Sequence, residues 1–305
     1  MLRIELRIDE VLDCIREMAP EELAEPWDNC GLIVDPGRGS AERAVVCLDV
    51  TGAAVSEAVR IGAGLIVCHH PLIFNPVKKI TRSRAPGSLL FELIKNDIAV
   101  YAAHTNVDKT YGGLNDLLAG IVGLDAARSG AGPAPADEHA GAGQAPTDEH
   151  AGAAADAIRR TGAQAPAQPH ARLENYRVGT LPAPLCAGEF FKYVRNRLKL
   201  DALAVSYPQP RAAADRPVQK VLVMCGAYDI KPEAIDALEP DAVVCGEIRH
   251  HEALELTDRG VFVARAGHHE TERFFVSLIE KWIKEKHPGA DVRGFGFSDA
   301  PFSYI

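Results

Sequence analysis

Gly64-Leu65-Ile66-Val67-Cys68-His69-His70-Pro71-Leu72-Ile73-Phe74 decides how the rest of the chain is read. A short, unbroken apolar run bounded by turn signals predicts a strand buried in a parallel sheet. Pro71 turns His70 away from helical geometry, so both histidines are expected in the loop that leaves the strand. In open α/β sheets that edge, outside the carboxyl ends of the strands, is where ligands bind. Two adjacent imidazoles there suit metal ligation or acid/base chemistry. The plainer alternative is one buried, hydrogen-bonded histidine beside an exposed one.

Strand and helix patterns alternate on both sides of this stretch. Residues 9–18 place Val11, Leu12, Ile15 and Met18 on one helical face, with Asp9 as a candidate cap. Trp27-Asp28-Asn29-Cys30-Gly31-Leu32 reads as a turn-rich entry into a strand. Residues 44–49 read as a strand ending in Asp49, and Thr51 can cap the helix that follows. After the histidine pair comes a polar loop through Arg84, a helix over 87–95 and a strand over 98–102. His104-Thr105-Asn106-Val107-Asp108 is expected as a loop, and an apolar helix then reaches about Val122. Further on, strands are expected at 176–181, 202–206, 220–225, 241–245 and 261–265, the last leading into one long helix to about Lys286. Such alternation predicts an α/β fold with mostly parallel, doubly wound sheets.

Residues 129–171 break the pattern. They are rich in Ala, Gly and Pro and repeat the motif Ala134–Ala142 as Ala145–Ala153. The copies carry His139 and His150, but a composition that can form no packed core predicts a disordered, solvated linker. The expected organisation is an N-terminal α/β domain over 1–128, the linker, and a C-terminal α/β domain over 172–305, part of which can pack with the first.

Composition narrows the function. A net charge of −9 with no run of Lys or Arg argues against a nucleic-acid surface. The N-terminus lacks a signal-peptide core, and no apolar run approaches the ~20 residues that cross a bilayer. The seven cysteines include no C-x-x-C pair, which disfavours a disulfide framework or thiolate zinc site and predicts a reducing, cytoplasmic compartment. Phosphate-loop, strand-linked dinucleotide and nucleophile-elbow motifs are absent.

What remains is histidine. Outside the linker, His69, His70, His104, His250, His251, His268 and His269 each fall just after an apolar strand. His268 and Glu272 are four residues apart at a helix start, so they share a face; His104 and Asp108 have the same separation. Four imidazoles (His69, His70, His104, His268) and two carboxylates (Asp108, Glu272) suit Zn, Fe, Mn, Co or Ni rather than Ca or Mg. Six ligands exceed what one zinc site takes and fit two divalent ions about 3.5–4 Å apart. Two dications and two carboxylates leave about +2, which favours an anionic small-molecule ligand. Glu247, His250, His251 and Asp49 are candidates for a general base or for orienting the ligands, with a surface or capping role as the alternative.

Taken together, Trp27–Leu32, Cys68–Phe74, His104–Asp108 and Gly267–Glu272, with Gly112–Asn115 and Arg177–Leu181, resemble the Nif-three-like dinuclear metal-centre family, also known as GTP cyclohydrolase I type 2 homologues. The resemblance implies two similar α/β domains with the metals between them, in a ring-shaped homohexamer. It implies that His69, His70, Asp108 and His268 ligate, that Glu272 bridges, and that His104 is a ligand or close neighbour. Two functions follow from it: a metal-dependent hydrolase acting on a nucleotide-like or phosphorylated small molecule, or a metal-binding scaffold or regulatory interaction module without turnover.

Overall fold

A computed structural model describes residues 6–128, 174–208, 216–296 and 301–302. The expected linker over 129–171 lies outside the described residues. The chain divides into two compact units, Met1–Thr110 with Arg273–Asp299, and Tyr111–Glu272 with Ala300–Ile305.

The first unit contains β1 (Leu6–Arg7), β2 (Gly31–Val34), β3 (Ser40–Ala41), β4 (Arg43–Cys47), β5 (Leu65–Cys68) and β6 (Ala99–Ala102). The second begins with β7 (Asp125–Arg128), β8 (Arg177–Cys186), β9 (Ala204–Ser206), β10 (Pro217–Ala227), β11 (Ala242–Glu247) and β12 (Phe262–Arg265); β13 (Asp291–Gly294) returns to the first.

The first unit's main sheet has the order β13-β4-β5-β6-β2, parallel except for β2. Its central strands are buried on both faces, as their uninterrupted apolar runs require. One face carries Val45, Cys47, Ile66, Cys68 and Val100 at the two-residue period of a strand. Against it pack Ala54, Val55, Ala58 and Ile61 of the helix Gly52–Ile61, with Leu90 and Leu93 of the helix Gly87–Lys95. The Thr51 hydroxyl accepts from the Ala54 amide at 3.1 Å and Gly62 closes the helix at φ +69°, so this connection starts and stops as its residues predict. The helix Phe275–Lys286 packs on β4 and β13 and against the helix Ile8–Met18.

Register then places the histidines. Cys47, Cys68 and Ala102 lie opposite one another at the carboxyl ends of β4, β5 and β6. Asp49, His69, His70 and His104 therefore leave the sheet at one edge. β2 runs antiparallel to β6, with Gly31 opposite Ala102, so the segment before Gly31 arrives at the same edge.

The second unit's sheet has the order β7-β8-β10-β11-β12-β9. Its centre, β10-β11-β12, is parallel, and the flanking strands pair antiparallel. Met224, Val243, Cys245 and Val263 face Ile235, Leu238 and Leu256 of the covering helices. Arg177, 1% exposed, forks onto Asp116 at 2.6 and 3.1 Å and also donates to the carbonyls of Glu174 and Tyr176.

Two local expectations change. His104–Asp108 is not a loop: Thr105–Lys109 forms a short helix that follows His104 directly. The expected long helix to Lys286 is broken into His268–Glu272 and Phe275–Lys286. Thr271 explains the bend, because its hydroxyl bonds the carbonyls of His268 and Gly267 at 2.9 and 3.1 Å, competing with the helical ladder.

Candidate metal centre

In the first unit, His69, His70 and His104 each offer a ring nitrogen, and these atoms all lie within 4.8 Å of one another. Each ring is held from its other side. His69 Nδ1 donates to the Ala103 carbonyl at 3.0 Å, His70 Nδ1 to Asp49 at 2.9 Å, and His104 Nδ1 to Asp28 at 2.8 Å. A proton on Nδ1 leaves Nε2 with its lone pair, which is the tautomer a metal needs. Carbonyl and carboxylate partners behind ligating imidazoles are the usual means of fixing ring orientation. Asp108 belongs to the same group, with Oδ1 3.8 Å from His69 Nε2.

Asp28 is the acceptor around which this edge is built. Besides His104, its carboxylate accepts from the amides of Asn29 and Thr105 and from the Thr105 hydroxyl and the Cys30 thiol. Burial alone would raise its pKa. Hydrogen bonds from the His104 ring and from Thr105 and Cys30 outweigh that and hold the carboxyl well below the usual range. Burial, together with the Asp28 charge, pushes the Cys30 thiol up to about 12, so Cys30 is a donor here and no thiolate ligand.

In the second unit, His268 Nε2 lies 3.0 Å from Glu272 Oε2, as their four-residue separation predicts. Glu247 Oε2 is 3.5 Å from His268 Nδ1, on the side away from Glu272. Their helix sits on glycines at the ends of β10 and β11. A Cβ on Gly226 would fall 2.2 Å from Glu272 Oε1 and 3.3 Å from His268 Nε2; one on Gly246 would fall 2.9 Å from His268 Cα. The Gly226 amide donates to Thr271 Oγ1 at 3.1 Å, fixing the helix above it. Backbone without side chains is what lets a carboxylate and an imidazole come this close to a strand end.

The donor set suits a borderline divalent metal: neutral imidazoles with anionic carboxylates and no thiolate. Of the other candidates, Asp49 and Glu247 stand behind the rings of His70 and His268, whereas His250 and His251 are exposed in the first turn of the helix His250–Asp258. His269, left out of the ligand set, is buried, and neither ring nitrogen has a hydrogen-bond partner among the described residues. The residue that sequence reasoning misses is Asp28. Its signal was an aspartate in a turn immediately before a strand, which alone reads as turn chemistry.

Comparison with known proteins gives the family and the fold. A GTP cyclohydrolase 1 type 2 homolog of Halalkalibacterium halodurans is 40% identical over 114 residues, 37% of this chain and 31% of that protein; in such stretches the match spans under half of the relative's length. Its Streptococcus pneumoniae namesake is 25% identical over 300 residues, covering 97% of this chain and 98% of the relative. One from Streptomyces coelicolor is 30% identical over 251 residues, covering 82% and 75%. Among solved structures, a Bacillus cereus protein related to NIF3 superposes with a TM-score of 0.74 at 24% identity, covering 98% of this chain and 99% of that one. The DUF34/NIF3 family (NGG1p interacting factor 3) matches residues 6–299, and the chain belongs to that family.

Proposed function

We propose that this chain is a dinuclear metal protein that hydrolyses a nucleotide-like or phosphorylated small molecule. In this reading His69, His70, His104 and Asp108 of the first unit and His268 and Glu272 of the second hold two divalent ions, Glu272 bridging them, between two similar α/β domains. The observation that carries it is the trio of imidazoles pinned through Nδ1, with ring nitrogens mutually within 4.8 Å. Three imidazoles each pinned through Nδ1, with their other ring nitrogens converging on one point, are costly to assemble unless something binds there. The relatives' name supports a hydrolase of a nucleotide-type substrate.

When bound, a pair of divalent ions activates water at neutral pH and neutralises charge developing on a phosphoryl or carbonyl oxygen. The chain's part is to hold the ligands in place. Ala103, Asp49 and Asp28 keep three imidazoles in the ligating tautomer, and Glu247 steadies His268. His250, three residues beyond Glu247, is the proposed proton carrier. We further propose a homohexamer in the cytoplasm. Among the described residues no helix is long and apolar enough to cross a membrane.

Metal analysis is expected to give about two ions per chain, and turnover of nucleotides or phosphoesters should stop on chelation. Glu272→Ala should lower occupancy at both positions, since two dications about 3.5–4 Å apart repel strongly once the shared anion is gone. Asp108→Ala should weaken mainly one. A single ion per chain, full metal content in Glu272→Ala, or activity surviving complete chelation would overturn the reading. Two ions with no turnover on any nucleotide or phosphoester would favour the scaffold function. Light scattering tests the hexamer.

A further inference from the structure

The edge that carries the three imidazoles also carries an aromatic pair with no role in ligation. Trp27 is 55% exposed and Phe74 47%, and their ring centroids are 5.8 Å apart. Both rings approach His104, at 6.4 and 6.3 Å. Single exposed apolar side chains are ordinary on a protein surface. Two large rings held together beside an imidazole cluster are a different matter, and this pair is held. Asn29 Nδ2 donates to the Ile73 carbonyl at 2.6 Å, fastening the segment that bears Trp27 to the one that bears Phe74.

Phe74 also opens a basic segment. Lys78, Lys79, Arg82 and Arg84 fall within seven residues, in a molecule of net charge −9, and no acidic residue occurs between Glu57 and Glu92. All four are exposed. Among the described residues no ion pair joins Lys78, Lys79 or Arg84 to a carboxylate, and Arg82 lies over the Phe91 ring at 4.9 Å. The segment is anchored at its middle. A Cβ on Gly87 would fall 2.4 Å from the Thr81 carbonyl oxygen, so the backbone at Thr81 is seated directly on the head of the helix Gly87–Lys95.

An exposed aromatic platform joined to an uncompensated positive segment is complementary to a ligand with a planar ring and an anionic tail. We propose that Trp27 and Phe74 stack the base, and Lys78, Lys79, Arg82 and Arg84 bind the phosphate, of a nucleoside phosphate presented to the neighbouring imidazole cluster. The proposal rests on that cluster being the reaction centre and specifies what it is offered. Stacking tolerates any base, whereas the cations select for phosphate, so the pair recognises a class more than a single nucleotide.

The chain's two tryptophans make this testable. Trp282 is buried, 4% exposed, so quenching by a stacked base reports on Trp27. The full-length protein, in chelator and metal-loaded, is titrated with GMP, guanosine, inorganic phosphate and a thymidine decamer. GMP should quench fluorescence. Trp27→Phe should abolish the signal while calorimetry shows affinity retained, and Trp27→Ala should weaken GMP about 5- to 150-fold, the scale of one lost stacking contact. The double variant Lys78→Ala/Lys79→Ala should weaken GMP and flatten its salt dependence while leaving guanosine unchanged. Unaltered GMP affinity in both the Trp27→Ala and double-lysine variants, with metal uptake intact, overturns the platform and leaves the metal centre standing. GMP quenching with no metal uptake does the reverse. Two further results would also overturn it. One is a decamer that binds much more tightly than GMP through the same residues; the other is an oligomer that Trp27→Ala dissociates without affecting GMP binding.

Discussion

Replacing Asp28 by Asn tests whether the edge is built to present imidazole lone pairs. The Asp28 side chain is fully buried and accepts from five donors. Oδ1 takes His104 Nδ1 and the Asn29 amide; Oδ2 takes the Thr105 amide, the Thr105 hydroxyl and the Cys30 thiol. An asparagine must turn its NH2 toward one of these groups, and the Oδ1 side faces fewer donors. The Asn29 amide then loses a bond to a charged acceptor, about 1.5–3 kcal/mol. His104 has an escape that the amide lacks. Its Nδ1 can accept from the new NH2 if the ring proton moves to Nε2, which removes the lone pair that a metal needs. Asp28→Asn should therefore lower stability by about 1.5–3 kcal/mol in chelator, read by urea denaturation. Metal affinity, read by competition with a chelating dye, should fall about 10- to 100-fold. Nitrogen NMR should show His104 protonated on Nε2. A variant with wild-type affinity and His104 still protonated on Nδ1 would refute the orienting role of Asp28.

Other perturbations address the scaffold around the candidate ligands. Gly226 has φ +61°, and its absent Cβ is the space taken by the Glu272 carboxylate; Gly226→Ala should cost about 1–2 kcal/mol in backbone strain alone and lower metal content, measured after dialysis. Arg177→Met leaves Asp116 a buried, uncompensated charge and should cost about 3–5 kcal/mol by urea denaturation, with Arg177→Met/Asp116→Leu recovering part of it. Arg293, and then Arg43, hold the Asp291 carboxyl below its ordinary value. Its folded pKa is depressed, so its contribution is present above the unfolded value of about 3.9 and lost as pH falls through the folded one. Asp291→Asn should thus be less stable at pH 7 by at most about 1 kcal/mol, this being a partly exposed pair, and the gap should close as pH falls through the depressed folded value.

Much of the candidate site in the first unit is legible because the position of its side chains follows from strand register. Once 44–49, 64–68 and 98–102 are read as parallel neighbours, Asp49, His69, His70 and His104 must emerge at one edge. What was not legible are relations that register does not carry. Asp28 reaches His104 across 76 residues through an antiparallel strand, and nothing local in Trp27-Asp28-Asn29 announces that partner. The antiparallel flanks of the second sheet were hidden for a related reason. β8 is buried for its first half and exposed for its second, and β9 is exposed along most of its length, so neither has the clean alternation that marks such strands.

The glycines show a further limit of reading residues one at a time. An isolated glycine at a strand end reads as punctuation, a bulge or the start of a turn. Gly226 is indeed at an irregularity, since the register of β10 against β11 shifts between Met224 and Ala227. The same residue leaves the volume that Glu272 fills and donates the amide bond that holds Thr271. One position therefore sets the strand end, the seat of the following helix and the approach of a candidate ligand. A sequence pattern can suggest the first of these. The other two depend on a helix that enters 42 residues later in the chain, after two more strands have placed it, so the functional demand on Gly226 exists only in the folded unit.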